Sequence, residues 1–236
     1  MMIVRDDSLA GRVHQLLDRI RCAAERAGRR PETVRLVAAT KTVPAERIRE
    51  GLSAGLSLLG ENRMQEALVK VALLRDLSPR WHFIGQLQRR KVRDAIGTFE
   101  LIHSVDSVEL AQEINRRAGD AGVKQAVLLE VNIAGEASKA GFQPDALMRD
   151  LAILGGLPHL RIQGLMTIPP PTAQPEDARP YFRALRELGA RIVAEERPSL
   201  VMQEFSMGMS HDFEIAIEEG ATLVRVGTAI FGARHV

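Results

Sequence analysis

The chain has 236 residues, 45% hydrophobic and 26% charged, proportions of a globular protein that argue against disorder and against a coiled coil. With 32 basic against 30 acidic side chains, and only seven Phe, one Trp and one Tyr to stack on bases, a nucleic-acid role has little support. The single Cys22 rules out an intrachain disulfide, no apolar run suits a membrane span or a signal sequence, and the histidines show no ligand-spaced helical pair. A cytoplasmic protein with neither membrane contact nor bound metal is therefore expected.

Residues 6–28 place Leu9, Val13, Leu16, Leu17, Ile20 and Ala24 at helical spacing and stop at Gly28, an amphipathic leading helix. The stretch VRLVAATK, 34–41, then reads as a strand apolar on both faces, as in a parallel sheet, with Lys41 at its carboxyl end. Ligands of such sheets bind at the carboxyl ends of the strands, so Lys41 stands where an amine can form an imine with a carbonyl compound. Its alternative is to leave the strand into solvent, as lysines often do.

A helix over 45–55 and a short strand over 57–62 complete a βαβ unit, and the pattern repeats. Next come a helix over 64–74, the strand WHFIG at 81–85, a basic helix around 88–96, the strand 100–106, a helix over 107–118 and the strand 125–133. A helix over 144–154, the strand 160–166, a long helix over 175–196, the strand 203–208, a helix over HDFEIAIEEG and the strand 222–227 finish the chain. The Pro-rich TIPPPTAQPEDARP lies between a strand and its helix and so reads as a loop at the sheet's carboxyl end. Eight strand-then-helix units without a break predict one (β/α)8 TIM barrel over 1–236, with an extra N-terminal helix.

In that barrel the strand ends gather Lys41, Glu61, Asn62, Gly85, Gln86, His103, Asp106, Asn132, Met166, Thr167 and two Gly-containing turns. Barrels often bind phosphate in the turns after strands seven and eight. SMGMS offers the Ser206 hydroxyl and Gly208 for close backbone approach; VGTAIFG offers Gly227 and Thr228, whose N–H groups open a short last helix. A phosphate site opposite a lysine suits a ligand that is both aldehyde and phosphate, which describes pyridoxal 5′-phosphate. Arg225 then falls near the pyridine nitrogen, with an ion pair to a barrel carboxylate as its alternative role. Ser210, His211 and Asp212 stand side by side but are too close in sequence to build a catalytic triad, and Ser210 reads instead as a helix N-cap. The basic run from Arg89 to Arg93 reads as a solvated face that also attracts anions.

The segments VAATKTVP, GENRMQEAL, WHFIGQLQRRK, IHSVDS, VNIAGEASKAGF, GLMTIP and SMGMSHDFEIAIEEGATLVRVGTAIFG resemble the pyridoxal-phosphate homeostasis protein family, itself similar to the N-terminal barrel of alanine racemase. The resemblance runs from about residue 8 to 234 and implies a mostly monomeric cytosolic barrel. It implies pyridoxal phosphate held as an imine on Lys41 and buffered, or delivered to apo enzymes that need it, without established turnover. By matched position Ser206, Gly227 and Thr228 hold the phosphate, Arg225 meets the ring nitrogen, and Asn62 and Met166 line the ring. Thr40 and Arg90 depart from the family's usual Ser and Asn. A pyridoxal-phosphate racemase is the alternative reading, and an aldolase using Lys41 ranks third. Against a racemase, the sole tyrosine, Tyr181, sits in the helix after strand six, and the chain stops soon after the eighth strand where alanine racemase adds a second domain.

Overall fold

A computed structural model describes residues 6–197 and 199–232. α1 (Leu9–Arg26) starts where the Ser8 hydroxyl accepts the Gly11 N–H and ends before Gly28, whose φ of 67° turns the chain. Its buried stripe is Leu9, Val13, Leu16, Ile20, Ala23 and Ala24. Leu17, expected in that stripe, lies at its margin and is 37% exposed.

Eight parallel strands close into one barrel in sequence order, the last pairing with the first. They are β1 (Arg35–Ala39), β2 (Leu58–Glu61), β3 (Arg80–Phe83), β4 (Leu101–Val105), β5 (Gln125–Glu130), β6 (Leu160–Met166), β7 (Leu200–Ser206) and β8 (Leu223–Val226). The helices α2 (Ala45–Ser53), α3 (Met64–Leu73), α4 (Val92–Ala95), α5 (Val108–Asp120), α6 (Pro144–Gly155), α7 (Arg179–Ala194) and α8 (Phe213–Glu218) alternate with them. A last short helix, α9 (Thr228–Phe231), follows β8. α1 packs against α8, α9 and α2, and its Arg12 guanidinium donates to the Ile230 carbonyl at 2.7 Å.

Most elements stand within a few residues of their predicted places. The basic helix expected over 88–96 is a 3-10 turn, Arg89–Lys91, leading into the single turn of α4. Of its nine residues only Val92 and Ala95 are buried, too little apolar surface to carry a longer helix. The strand expected to reach 133 stops at Glu130, and the strand expected over 203–208 starts and stops earlier.

Two apolar layers result. Side chains between strands and helices form the large core, whereas Val37, Leu58, Leu101, Ala126, Leu128, Met166 and Leu223 meet inside the barrel. Period-two alternation carries this inner parity up each strand: Val37 to Ala39 and Lys41, Leu58 to Gly60 and Asn62, Leu128 to Glu130, Leu223 to Arg225 and Gly227. The inner layer thus dictates which residues reach the barrel mouth. Among the described residues no helix is long and apolar enough to cross a membrane, and no group of three or more His, Cys, Asp or Glu is placed to hold a metal ion.

Candidate functional site

The mouth opens into a cleft of about 1010 Å3. Lys41, Asn62, Arg225, Gly227 and Thr228 all line it, together with Glu130, Gln86, Arg47, Ser210 and His211. Strands β1, β2, β5 and β8 and the turns after β3 and β7 therefore converge on one space, which the eight-unit repeat anticipates.

Lys41 leaves β1 through a turn with Thr42 at φ 62°, a left-handed conformation that a β-branched residue rarely adopts. The backbone on either side is anchored. Lys70, on α3 and almost wholly buried, donates to the Thr40 carbonyl at 2.7 Å, to Glu61 Oε1 at 2.8 Å and to Glu66 Oε1 at 2.6 Å. Glu66 Oε1 also accepts the Thr42 N–H at 2.6 Å, and the Thr40 hydroxyl donates to Glu61 Oε1 at 2.6 Å. Burial raises the pKa of the Glu61 carboxyl, although the Lys70 and Thr40 hydrogen bonds oppose it.

Arg225 forms the floor. It donates to the Ser206 carbonyl at 2.8 Å and to the Thr167 carbonyl at 2.9 Å, tying β8 to β7 and to the end of β6, and also to the Ser206 hydroxyl. Burial lowers its pKa to about 10, opposed by Glu130 and Asp212, so it remains a cation at neutral pH. Below it a column of polar groups fills the barrel: Ser206 Oγ lies 2.8 Å from His103 Nδ1, and His103 Nε2 lies 2.8 Å from His82 Nδ1. Burial pushes His82 down to about 3 and His103 well below its usual value, so both rings are neutral.

Two of the expected residues lie deeper than the rest. Met166 belongs to the inner apolar layer and is 1% exposed, and Ser206 is 0% exposed with its hydroxyl between Arg225 and His103. Neither lines the cleft. The serine that lines it from the turn after β7 is Ser210, four residues on. Ser210 is not the N-cap of α8; Asp212 holds that position, and its carboxylate accepts the Met209 N–H at 2.7 Å. Gly208 closely approaches α8: its φ is 90°, and a Cβ there would lie 2.5 Å from the Ala216 Cβ. Gly85 does serve the mouth, where any Cβ would strike the Asn62 backbone at 2.4 Å.

Of the other strand-end candidates, Glu61 and His103 are buried in the networks above, and Asn132 ties down the loop after β5 by donating to the Glu136 carbonyl at 2.8 Å. Lys139 pairs with Glu136 at 2.6 Å. None of the residues from Arg89 to Arg93 lines the cleft.

A family model for the N-terminal domain of alanine racemase matches residues 12–235. A pyridoxal phosphate homeostasis protein of Aquifex aeolicus (strain VF5) is 50% identical over 223 residues, covering 94% of this chain and 97% of that one. The chain belongs to the pyridoxal phosphate homeostasis protein family. A second member of that family, from Pseudomonas aeruginosa, is 45% identical over 227 residues, 96% of each chain. PipY of Synechococcus elongatus PCC7942, solved with PLP bound, superposes with a TM-score of 0.83 at 38% identity, covering 95% of this chain and all of PipY. Alanine racemase of Clostridium difficile 630 shares the fold, with a TM-score of 0.70 at 18% identity over 56% of its own length.

Within this member of the pyridoxal phosphate homeostasis family, sequence reasoning missed Glu130. A charged residue closing an apolar strand, in phase with Leu128, was the available signal. Burial, with a smaller push from Asp106, raises its pKa to about 7 from 4.5, while Arg225 opposes the shift. A carboxyl with a raised folded pKa contributes stability that is complete below the unfolded value of 4.5 and is lost as pH rises through about 7. The buried histidines act the other way in the same range, so the signature is a difference between proteins. Glu130→Gln should match the wild type near pH 4 and exceed it by on the order of 2 kcal/mol at pH 8, read from urea unfolding at both pH values. A stability difference that does not change with pH would show that Glu130 ionises as an ordinary carboxylate.

Proposed function

We propose that this chain binds pyridoxal 5′-phosphate in the barrel-mouth cleft, attached covalently through Lys41, and serves intracellular homeostasis of the cofactor as a non-catalytic carrier. The observation that carries the reading is the convergence of the Lys41 amine, the Arg225 cation and the Gly227–Thr228 turn on one cleft, in a barrel that covers all of PLP-bound PipY. The donor set fits the group. Asn62 Oδ1 is buried at the cleft with no hydrogen-bond partner among the described residues, so a polar ligand atom would satisfy it. Bound pyridoxal phosphate supplies an aldehyde that condenses with a primary amine, releasing water, and a ring that withdraws electrons when its nitrogen is protonated.

Each side chain then has a task. Lys41 presents the amine. Gly227, Thr228 and Ser210 offer backbone and hydroxyl donors to the phosphate, with Ser206 acting indirectly by holding Arg225. The buried Arg225 cation disfavours a second positive charge beside it and so keeps a facing pyridine nitrogen unprotonated, which suits storage better than carbanion chemistry. Racemisation also needs an acid and a base on opposite faces of the reacting carbon, and no tyrosine lines the cleft to stand against Lys41. Release to apo enzymes from a monomeric carrier completes the proposal.

Adding pyridoxal phosphate to the purified protein is expected to give a yellow absorption band. Borohydride should then fix one equivalent onto the peptide that contains Lys41. In deuterated water the loaded protein should exchange the Cα hydrogen of L-alanine negligibly by NMR. A protein that stays colourless refutes the binding reading, and rapid exchange that vanishes in Lys41→Ala promotes the racemase.

A further inference from the structure

We propose that the buried Lys70–Glu66–Glu61 network is a positioning device for Lys41, clamping the backbone on both sides of that residue so that its amine is presented at one fixed place in the cleft. The proposal rests on the reading of Lys41 as the point of attachment. Its observations are independent of any ligand.

An ammonium group has three protons, and Lys70 spends them on the Thr40 carbonyl, Glu61 and Glu66. One of those acceptors is the backbone immediately before Lys41. A second, Glu66 Oε1, accepts the N–H immediately after it, from Thr42. The peptide groups flanking residue 41 are therefore held by a single pair of side chains one turn apart on α3, while the Thr40 hydroxyl, just past β1, and Glu61, at the end of β2, close the ring.

A network placed only for stability has cheaper solutions. Removing a lysine and a carboxylate from water costs free energy that well-packed apolar side chains of similar size avoid. Here the cost is accepted beside a Thr42 held at φ 62°, a conformation that a β-branched residue leaves readily once its N–H is released. Without the clamp, the turn relaxes toward ordinary backbone and the Lys41 Cα moves with it. Glu61 is also half-committed, for its Oε2 is buried without a partner among the described residues. It can therefore accept more from this turn than it now does.

Charge supports the assignment. Two carboxylates face the one Lys70 ammonium, so the cluster beneath Lys41 carries an excess of acceptor character. Burial raises the Glu61 pKa, whereas at Glu66 hydrogen bonds from Lys70 and Thr42, with the charges of Lys70 and Arg63, outweigh burial and lower the pKa, which favours the carboxylate form that accepts the Thr42 N–H.

Glu66→Ala is the test, because Glu66 is only partly buried on a helix in which alanine is well tolerated. In the apo protein the Thr42 amide should exchange with deuterium about tenfold faster or more, with barrel-strand amides unchanged. When pyridoxal phosphate is added, its attachment to Lys41 should proceed about tenfold more slowly, since displacement of a reacting group by an ångström costs up to ~100-fold. Glu66→Gln should restore both rates, because its amide oxygen still accepts the Thr42 N–H. Wild-type rates in Glu66→Ala overturn the proposal, and so does acceleration spread equally over all barrel amides, which marks general loosening. Should wild-type protein carry no cofactor on Lys41, the attachment reading fails by itself, and the apo Thr42 exchange still decides whether the clamp exists.

Discussion

Lys41→Ala is expected to abolish borohydride fixation of pyridoxal phosphate while leaving measurable reversible binding. The amine comes from β1, whereas Arg225, Gly227 and Thr228 come from β8 and Ser210 from the turn after β7, so the substitution leaves the anion-facing half of the cleft intact. A loss of about 100-fold in affinity, near 3 kcal/mol, is expected for a covalent link removed from a site that keeps its other contacts. Equilibrium dialysis measures the residual binding, and mass spectrometry after reduction measures fixation. Fixation at full stoichiometry in the variant would assign the bond to another amine. Lys139 is the first suspect, since its neighbours Ser138 and Ala140 line the same cleft.

Arg225→Gln should have two separable effects. The guanidinium ties the Ser206 and Thr167 carbonyls together, and a shorter neutral amide cannot reach both, so unfolding free energy should fall by about 3 kcal/mol. Removing a fixed cation also raises the proton affinity of any ring nitrogen that faces it, so the pH at which the bound cofactor's absorption changes should move upward by about one unit or more. Arg225→Lys separates the effects: it keeps the charge without the planar fork, so stability should drop while the spectral titration stays near that of the wild type. Urea unfolding and an absorbance titration report the two quantities. A spectral titration identical in wild type and Arg225→Gln would place the guanidinium away from the ring.

Local sequence was enough for the barrel because each of its units is short and written in local code. Apolar runs such as VRLVAA and QAVLLE cannot be half-exposed strands, and the helical spacing between them leaves a closed or open parallel sheet with helices outside. The basic segment at 88–96 misled because charge and spacing allowed a helix that too little apolar surface supports. The resemblance named the right family, and of the residues it pointed to, Lys41, Asn62, Arg225, Gly227 and Thr228 line the cleft while Ser206 and Met166 lie buried beneath it.

The difference between Ser206 and Ser210 shows where one-dimensional information runs out. Both are serines in one Gly-containing turn, and either could offer a hydroxyl. Only the end of β7 at Ser206, pointing inward onto His103 and beneath Arg225, sends the first into the interior and leaves the second at the mouth. Glu130, the His82–His103 column and the Lys70 clamp were hidden for the same reason, since each joins residues from different strands or helices, up to 103 positions apart in the column. By itself the sequence determined strand number, strand order and the lysine at the end of β1, because apolar periodicity and chain alternation are local properties. Barrel closure and strand register decided which polar groups meet, which are desolvated, and which serine lines the cleft, because these depend on distances that only the folded chain defines.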